Sequence, residues 1–151
     1  VETTQFIGRN HEKEVLKRLL DTAHLLTLVG PPGTGKTRLA LKIGWEVTEF
    51  FRDGVYFVSL AAISDPTLVT NAIASVIGVN DAHDQPLIET LKQVLRDSQM
   101  LLILDNFEHL LAAGVLVSDL LTAAPELKVL ATSREPLHPR AGLSRHAREP
   151  T

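Results

Sequence analysis

Apolar residues along this chain follow two rhythms. Mainly apolar runs at residues 25–29, 55–60, 100–104 and 127–132 read as strands: 25–29 as a buried one, 55–60 by its β-branched and aromatic content, and the continuous run 100–104 as a central parallel one. Between them, apolar residues recur every three to four positions, the spacing of a helix with one buried stripe. The first such stretch starts near Asn10, a candidate N-cap, and aligns Val15, Leu16, Leu19 and Leu20. The second aligns Leu39, Ala40, Ile43 and Val47 and should end near Phe50-Phe51, ahead of the Asp53-Gly54 turn. A third opens at Asp65-Pro66, carries Leu68, Val69, Ala72, Ile73, Val76 and Ile77 inward, and closes at Gly78. Two more cover about 86–97, with Leu87, Ile88, Leu91, Val94 and Leu95 as core contacts, and 110–123, stopped by Pro125. Strands alternating with helices predict an α/β fold, a three-layer α/β/α sandwich around a mainly parallel sheet. After Glu135 the rhythm stops. Residues 136–151 hold three prolines, three arginines and scattered apolar positions, so a domain over 1–135 and a poorly ordered tail over 136–151 are expected.

The segment between the first strand and the second helix carries the chemistry. Gly30-Pro31-Pro32-Gly33-Thr34-Gly35-Lys36-Thr37 is a complete G-x-x-x-x-G-K-[ST] phosphate-binding loop, and strand, loop, helix is the context that this pattern requires. Glycines let successive N–H groups turn inward as a concave anion nest. The helix that opens at Arg38, directly after the loop, adds unpaired amides and a positive dipole end. Lys36 offers a mobile ammonium to β- and γ-phosphates, and the Thr37 hydroxyl can ligate Mg²⁺.

Asp105 follows the run at 100–104 directly, the place of a Walker B carboxylate that holds Mg²⁺ through water at the end of a buried strand, with a helix cap or turn residue as the alternative. The next residue, Asn106, is an amide where many such ATPases carry a second acid; it can orient water but cannot take its proton. Glu108 is the nearest carboxylate and a candidate base, with a solvated residue of the next helix as the alternative. Thr132-Ser133-Arg134 ends the last strand. A parallel sheet gathers its strand ends at one edge, where Arg134 could reach a γ-phosphate or remain a loop arginine.

Composition narrows the function further. A net charge of −3 leaves no electrostatic footprint for nucleic acid or an anionic membrane surface. With no cysteine there is no disulfide, thiolate metal site or cysteine nucleophile. The histidines lack metal-ligand spacing, no G-x-S-x-G occurs, and no apolar run is long enough to span a bilayer. No basic-then-apolar leader pattern opens the chain, and a cytoplasmic location is expected. A guanine-reading N/T-K-x-D element is absent, which favours adenine and points to ATP or ADP with Mg²⁺.

Four segments together resemble a known family: Phe6-Ile7-Gly8-Arg9, residues 26–40 around the P-loop, Leu102-Ile103-Leu104-Asp105-Asn106-Phe107-Glu108-His109-Leu110-Leu111, and Ala131-Thr132-Ser133-Arg134-Glu135-Pro136-Leu137. The chain resembles the signal-transduction ATPases with numerous domains, above all the NB-ARC-like ATPase module of large bacterial transcriptional regulators. That resemblance implies a P-loop core whose Walker B and sensor strands lie beside the P-loop strand. It implies that Phe6, Ile7, Gly8 and Arg9 pack near adenine and that Arg134 senses the γ-phosphate. It implies a switch, closed with ADP and opened by ATP, with slow or no hydrolysis of its own. A working AAA+-type motor or loader ATPase, or an inactive fragment, are the competing readings. Asn10 stands where the family has an acid. The residues after Leu137 do not resemble its usual continuation, so a truncated member lacking the next strand is expected. An uncovered sheet edge would follow, and with it self-association and a more open pocket.

Overall fold

The computed structural model of the protein describes residues 9–31, 35–81, 84–107, 111–134 and 144–148. In chain order the elements are α1 (Arg9–Thr22), β1 (Leu25–Val29), α2 (Lys36–Glu46), β2 (Val55–Ser59), α3 (Val69–Ile77), α4 (Leu87–Leu95), β3 (Leu101–Asp105), α5 (Leu111–Ala123), β4 (Lys128–Ser133) and β5 (Ser144–Arg148). Short 3₁₀ turns at Thr48–Phe50 and Pro66–Leu68 follow α2 and precede α3. The strands form one parallel sheet in the order β2-β3-β4-β1-β5.

Successive strand residues point to opposite faces, and this splits the core in two. Leu26 and Leu28 of β1, Leu101 and Ile103 of β3, and Leu130 of β4 pack with Leu20 of α1 and Ala40 and Ile43 of α2. Leu25, Leu102, Leu104, Val129 and Ala131 pack on the other side with Val69 and Ile73 of α3, Leu91 and Leu95 of α4, and Leu120 of α5. The expected three-layer α/β/α architecture is therefore present. β3 is buried along its whole length and apolar up to Asp105, whereas β2 is mostly half-buried and the buried parts of β1 and β4 include Thr27, Thr132 and Ser133.

Several local expectations change in detail. Helix α1 begins at Arg9, which places Asn10 inside it. Asp65 does cap: its carboxylate accepts from the Thr67 N–H at 3.0 Å, although the turn it starts is 3₁₀ before it becomes α3. Gly78 ends α3 in the left-handed region at φ 81°, with the Val79 N–H donating to Ala74 O. Leu68, Val76 and Val94, assigned to the core by periodicity, are exposed. Helical spacing identifies a stripe but not how far along the helix its covering surface extends.

Strand order brings two further corrections. β4 lies directly beside β1, but β3 lies one strand further out, so only one of the two expected neighbours touches the P-loop strand. On the opposite side β5 pairs with β1, Leu25 through Val29 facing Ser144 through Arg148, where an open edge had been expected. The β1 edge is therefore already paired within the chain and is not open to a second copy. β5 has no apolar run to announce it; the unpaired N–H and C=O groups of β1 supply its pairing.

Gly44 marks where α2 approaches the sheet most tightly, since a Cβ there would lie 2.8 Å from Ile103 Cδ1 and 3.3 Å from Val55 Cγ1. Gly44→Val is expected to lower stability by about 1–3 kcal/mol, because overpacking outweighs the roughly 0.5 kcal/mol that leaving glycine gains in a helix. Urea denaturation checks this, and an unchanged midpoint would show that the contact relaxes freely.

Candidate functional site

Gly30 continues β1 at its carboxyl end, with its N–H donating to Ser133 O on β4 at 3.2 Å. Gly35 turns the chain into α2 at φ 88°, a conformation that strains any other residue, and the Leu39 N–H closes the first helical turn on Gly35 O at 2.9 Å. Lys36, the first residue of α2, is buried, and its ammonium donates to Gly30 O at 2.6 Å and Pro31 O at 2.9 Å. The cation thus lies between the end of β1 and the positive end of the α2 dipole. Pro32, Gly33 and Thr34 of the loop lie outside the described residues.

Across the sheet edge, Asp105 ends β3 and is only 3% exposed. The Thr37 hydroxyl donates to both its oxygens, at 3.0 Å to Oδ1 and 2.9 Å to Oδ2, joining residues 68 positions apart in sequence. The two candidate metal-ligating residues therefore meet in space. Both offer hard oxygen donors, the donor type that suits Mg²⁺. Among the described residues no three His, Cys, Asp or Glu side chains gather as a metal cage. A single carboxylate and a hydroxyl fit an ion that takes most of its remaining ligands from phosphate and water.

Thr132 was passed over in sequence, as one letter of the motif that ends the last strand. It is 1% exposed, one step past the paired Leu104 and Ala131, and its hydroxyl donates to Asp105 Oδ1 at 2.7 Å. Thr132 Oγ1 in turn accepts from the Asn106 N–H at 2.9 Å, and Thr132 O accepts from the Phe107 N–H at 2.9 Å. Asn106 takes φ 64°, which asparagine tolerates better than most residues, and this bend sends Phe107 into the core. The only signal in sequence was a hydroxyl residue ending an apolar run.

The other expected site residues divide. Arg134 follows β4 at the same sheet edge and is exposed, as is Arg38 in the first turn of α2. Arg9 opens α1. Phe6, Ile7, Gly8 and Glu108 lie outside the described residues, so the expected adenine wall and the candidate base have no described position. A separate cavity of about 410 Å³ opens at the amino ends of the strands, away from the P-loop, between Phe50, Phe51, Lys17 and Lys128. Among the described residues no helix is long and apolar enough to cross a membrane.

Known proteins share both the sequence and the fold. A family model described as an AAA domain matches residues 18–136. An uncharacterized protein of Mycobacterium tuberculosis is 38% identical over 133 residues, covering 87% of this chain and 34% of its own length. A second protein of that organism, whose name assigns it provisionally to the HTH-type transcriptional regulators, is 43% identical over 123 residues, covering 81% of this chain and 14% of its own length. The chain thus spans about a third of the first relative and about a seventh of the second. Among solved structures, Cdc6p from Pyrobaculum aerophilum superposes with a TM-score of 0.61 at 19% identity, over 95% of this chain and 46% of that one. A signal transduction ATPase with numerous domains from Pyrococcus horikoshii, bearing a tetratricopeptide repeat sensor, superposes with a TM-score of 0.54 at 15% identity, over 98% of this chain and 24% of that one. At those identities the superpositions speak to fold, and the fold is that of the P-loop ATPases. With the matched family model covering most of the chain, the protein belongs to the AAA domain family of P-loop ATPases.

Proposed function

We propose that the chain is the ATP/ADP-binding module of a larger, NB-ARC-like signal-transduction ATPase, acting as a nucleotide-dependent switch with slow or no hydrolysis of its own. The observation that carries this reading is the contact of Thr37 with Asp105, which unites the start of the P-loop helix and the acid of β3. Residues 30–37 would cradle the phosphates with their amides, and Lys36 would exchange its carbonyl partners for β- and γ-phosphate oxygens. Thr37 and Asp105 would hold Mg²⁺, which when bound neutralises charge on the phosphate oxygens. Arg134, at the same edge, would touch the γ-phosphate, and residues 6–9 would flank the adenine.

The switch is favoured over a motor by chemistry at residue 106. Asn106 cannot take a proton from water, and Glu108 is left as the candidate base. The provisional name of the 43%-identical relative supports a regulatory setting. A motor or loader ATPase should turn over at about one per second or faster, whereas a switch without its activator runs below about one per minute. Steady-state turnover separates the two.

Nucleotide titration tests the site itself. Asp105→Ala is expected to weaken ATP and ADP alike in the presence of Mg²⁺, because the ion meets the β-phosphate in both. Arg134→Ala is expected to weaken ATP more than ADP by roughly ten- to hundredfold, the value of one charge-assisted contact of about 1.5–3 kcal/mol. Equal losses for the two nucleotides in the Arg134 variant would remove its sensor role.

A further inference from the structure

We propose that Thr132 is a positioning residue for the metal-binding carboxylate, fixing which oxygen of Asp105 is presented and tying that choice to the end of β4. The inference rests on the reading that Asp105 holds Mg²⁺. Its grounds are the unequal surroundings of the two carboxylate oxygens. The single Thr37 hydroxyl proton is shared between Oδ1 and Oδ2, at 3.0 and 2.9 Å, and so does not tell them apart. Thr132 does: its hydroxyl adds a shorter bond, 2.7 Å, to Oδ1 alone. Oδ2 is left with the fewer donors among the described residues, and is the oxygen free to meet a cation once Thr37 turns its own lone pair toward that cation.

The arrangement is also braced. A hydroxyl that donates to Oδ1 keeps lone pairs, and one of these accepts the Asn106 N–H at 2.9 Å, so the hydroxyl proton is directed away from Asn106 and onto the carboxylate. The Phe107 N–H bonds the Thr132 carbonyl at 2.9 Å, which locks the exit of β3 to β4 on both sides of Asn106. At 1% exposure, Thr132 has no water to replace these bonds. Two residues further along, β4 has ended and the chain reaches Arg134. A shift of β4 at that point would therefore move the carboxylate as well, through the short link from the Thr132 backbone by way of Oγ1 to Oδ1.

Isothermal titration of ADP with Mg²⁺ and of ADP with chelator, on the parent chain and on T132V and T132S, tests the proposal. T132V is expected to lose about ten- to hundredfold of the affinity that Mg²⁺ adds, the usual effect of removing a hydrogen-bond partner of a metal ligand. Its affinity for metal-free ADP should stay at the parent value, a split that a general loss of structure would not produce. T132S, which keeps the hydroxyl, should restore the Mg²⁺ effect. A T132V variant with the parent's Mg²⁺ enhancement overturns the proposal alone. A parent chain with no Mg²⁺ enhancement overturns the reading of Asp105 and the proposal with it. Should T132V not fold, the parent suffices: the Thr132 hydroxyl proton, followed by NMR, should stay protected with and without Mg²⁺-ADP, and its exchange on binding would overturn the inference.

Discussion

Lys36→Ala abolishes binding of ATP and ADP in our expectation, with the fold retained. Its ammonium is the one positive group of the P-loop motif, and it sits between Gly30 O and Pro31 O, at the end of β1 and the start of α2. Contacts to two phosphates at about 1.5–3 kcal/mol each exceed a hundredfold in affinity when lost together. Stability should change far less. Pro31 is exposed and Gly30 half-exposed, so water can replace the ammonium at both carbonyls, leaving a cost of about 1 kcal/mol in lost packing of the lysine stem. Titration calorimetry beside circular dichroism checks both halves. A folded variant that binds ATP as tightly as the parent would place the nucleotide elsewhere.

Phe107→Ala should give the largest loss of stability among the residues near the site. The ring is 1% exposed and belongs to the same core cluster as Leu60, Leu104 and Val117. Truncating a buried phenylalanine costs about 3–5 kcal/mol, from lost transfer energy and the cavity left behind. For a chain of this size that is roughly 10 °C in melting temperature. The effect should also reach the site. Phe107 anchors the bend in which Asn106 adopts φ 64°, and without the anchor the bend has less reason to persist beside Asp105. Phe107→Leu keeps most of the volume and should cost under about 1.5 kcal/mol. Thermal melts of the two variants decide it; a loss below 1 kcal/mol for alanine would mean that the ring contributes little to the core.

By itself the sequence was enough for the class of fold, and it raised a candidate site. Four strands could be located because burial favours short, mainly apolar runs, and the continuous Leu101-Leu102-Ile103-Leu104 of the central β3 is the clearest of them. Gly30 through Thr37 was legible as a candidate phosphate loop because such a loop needs glycines and a lysine at fixed offsets, all within one local turn. What tertiary structure decided was everything that depends on which strand lies beside which. β4 entering between β1 and β3 sets Thr132 against Asp105, and no local pattern encodes that order. β5 forms against β1 through backbone groups that every residue carries, so its side chains offered no sign of it. Val76 and Leu68 carry the right period yet stand exposed, because periodicity is a property of one helix whereas burial is a property of two surfaces. Thr37 and Asp105 could each be named in sequence from their own surroundings, but their 2.9 Å contact belongs to the sheet.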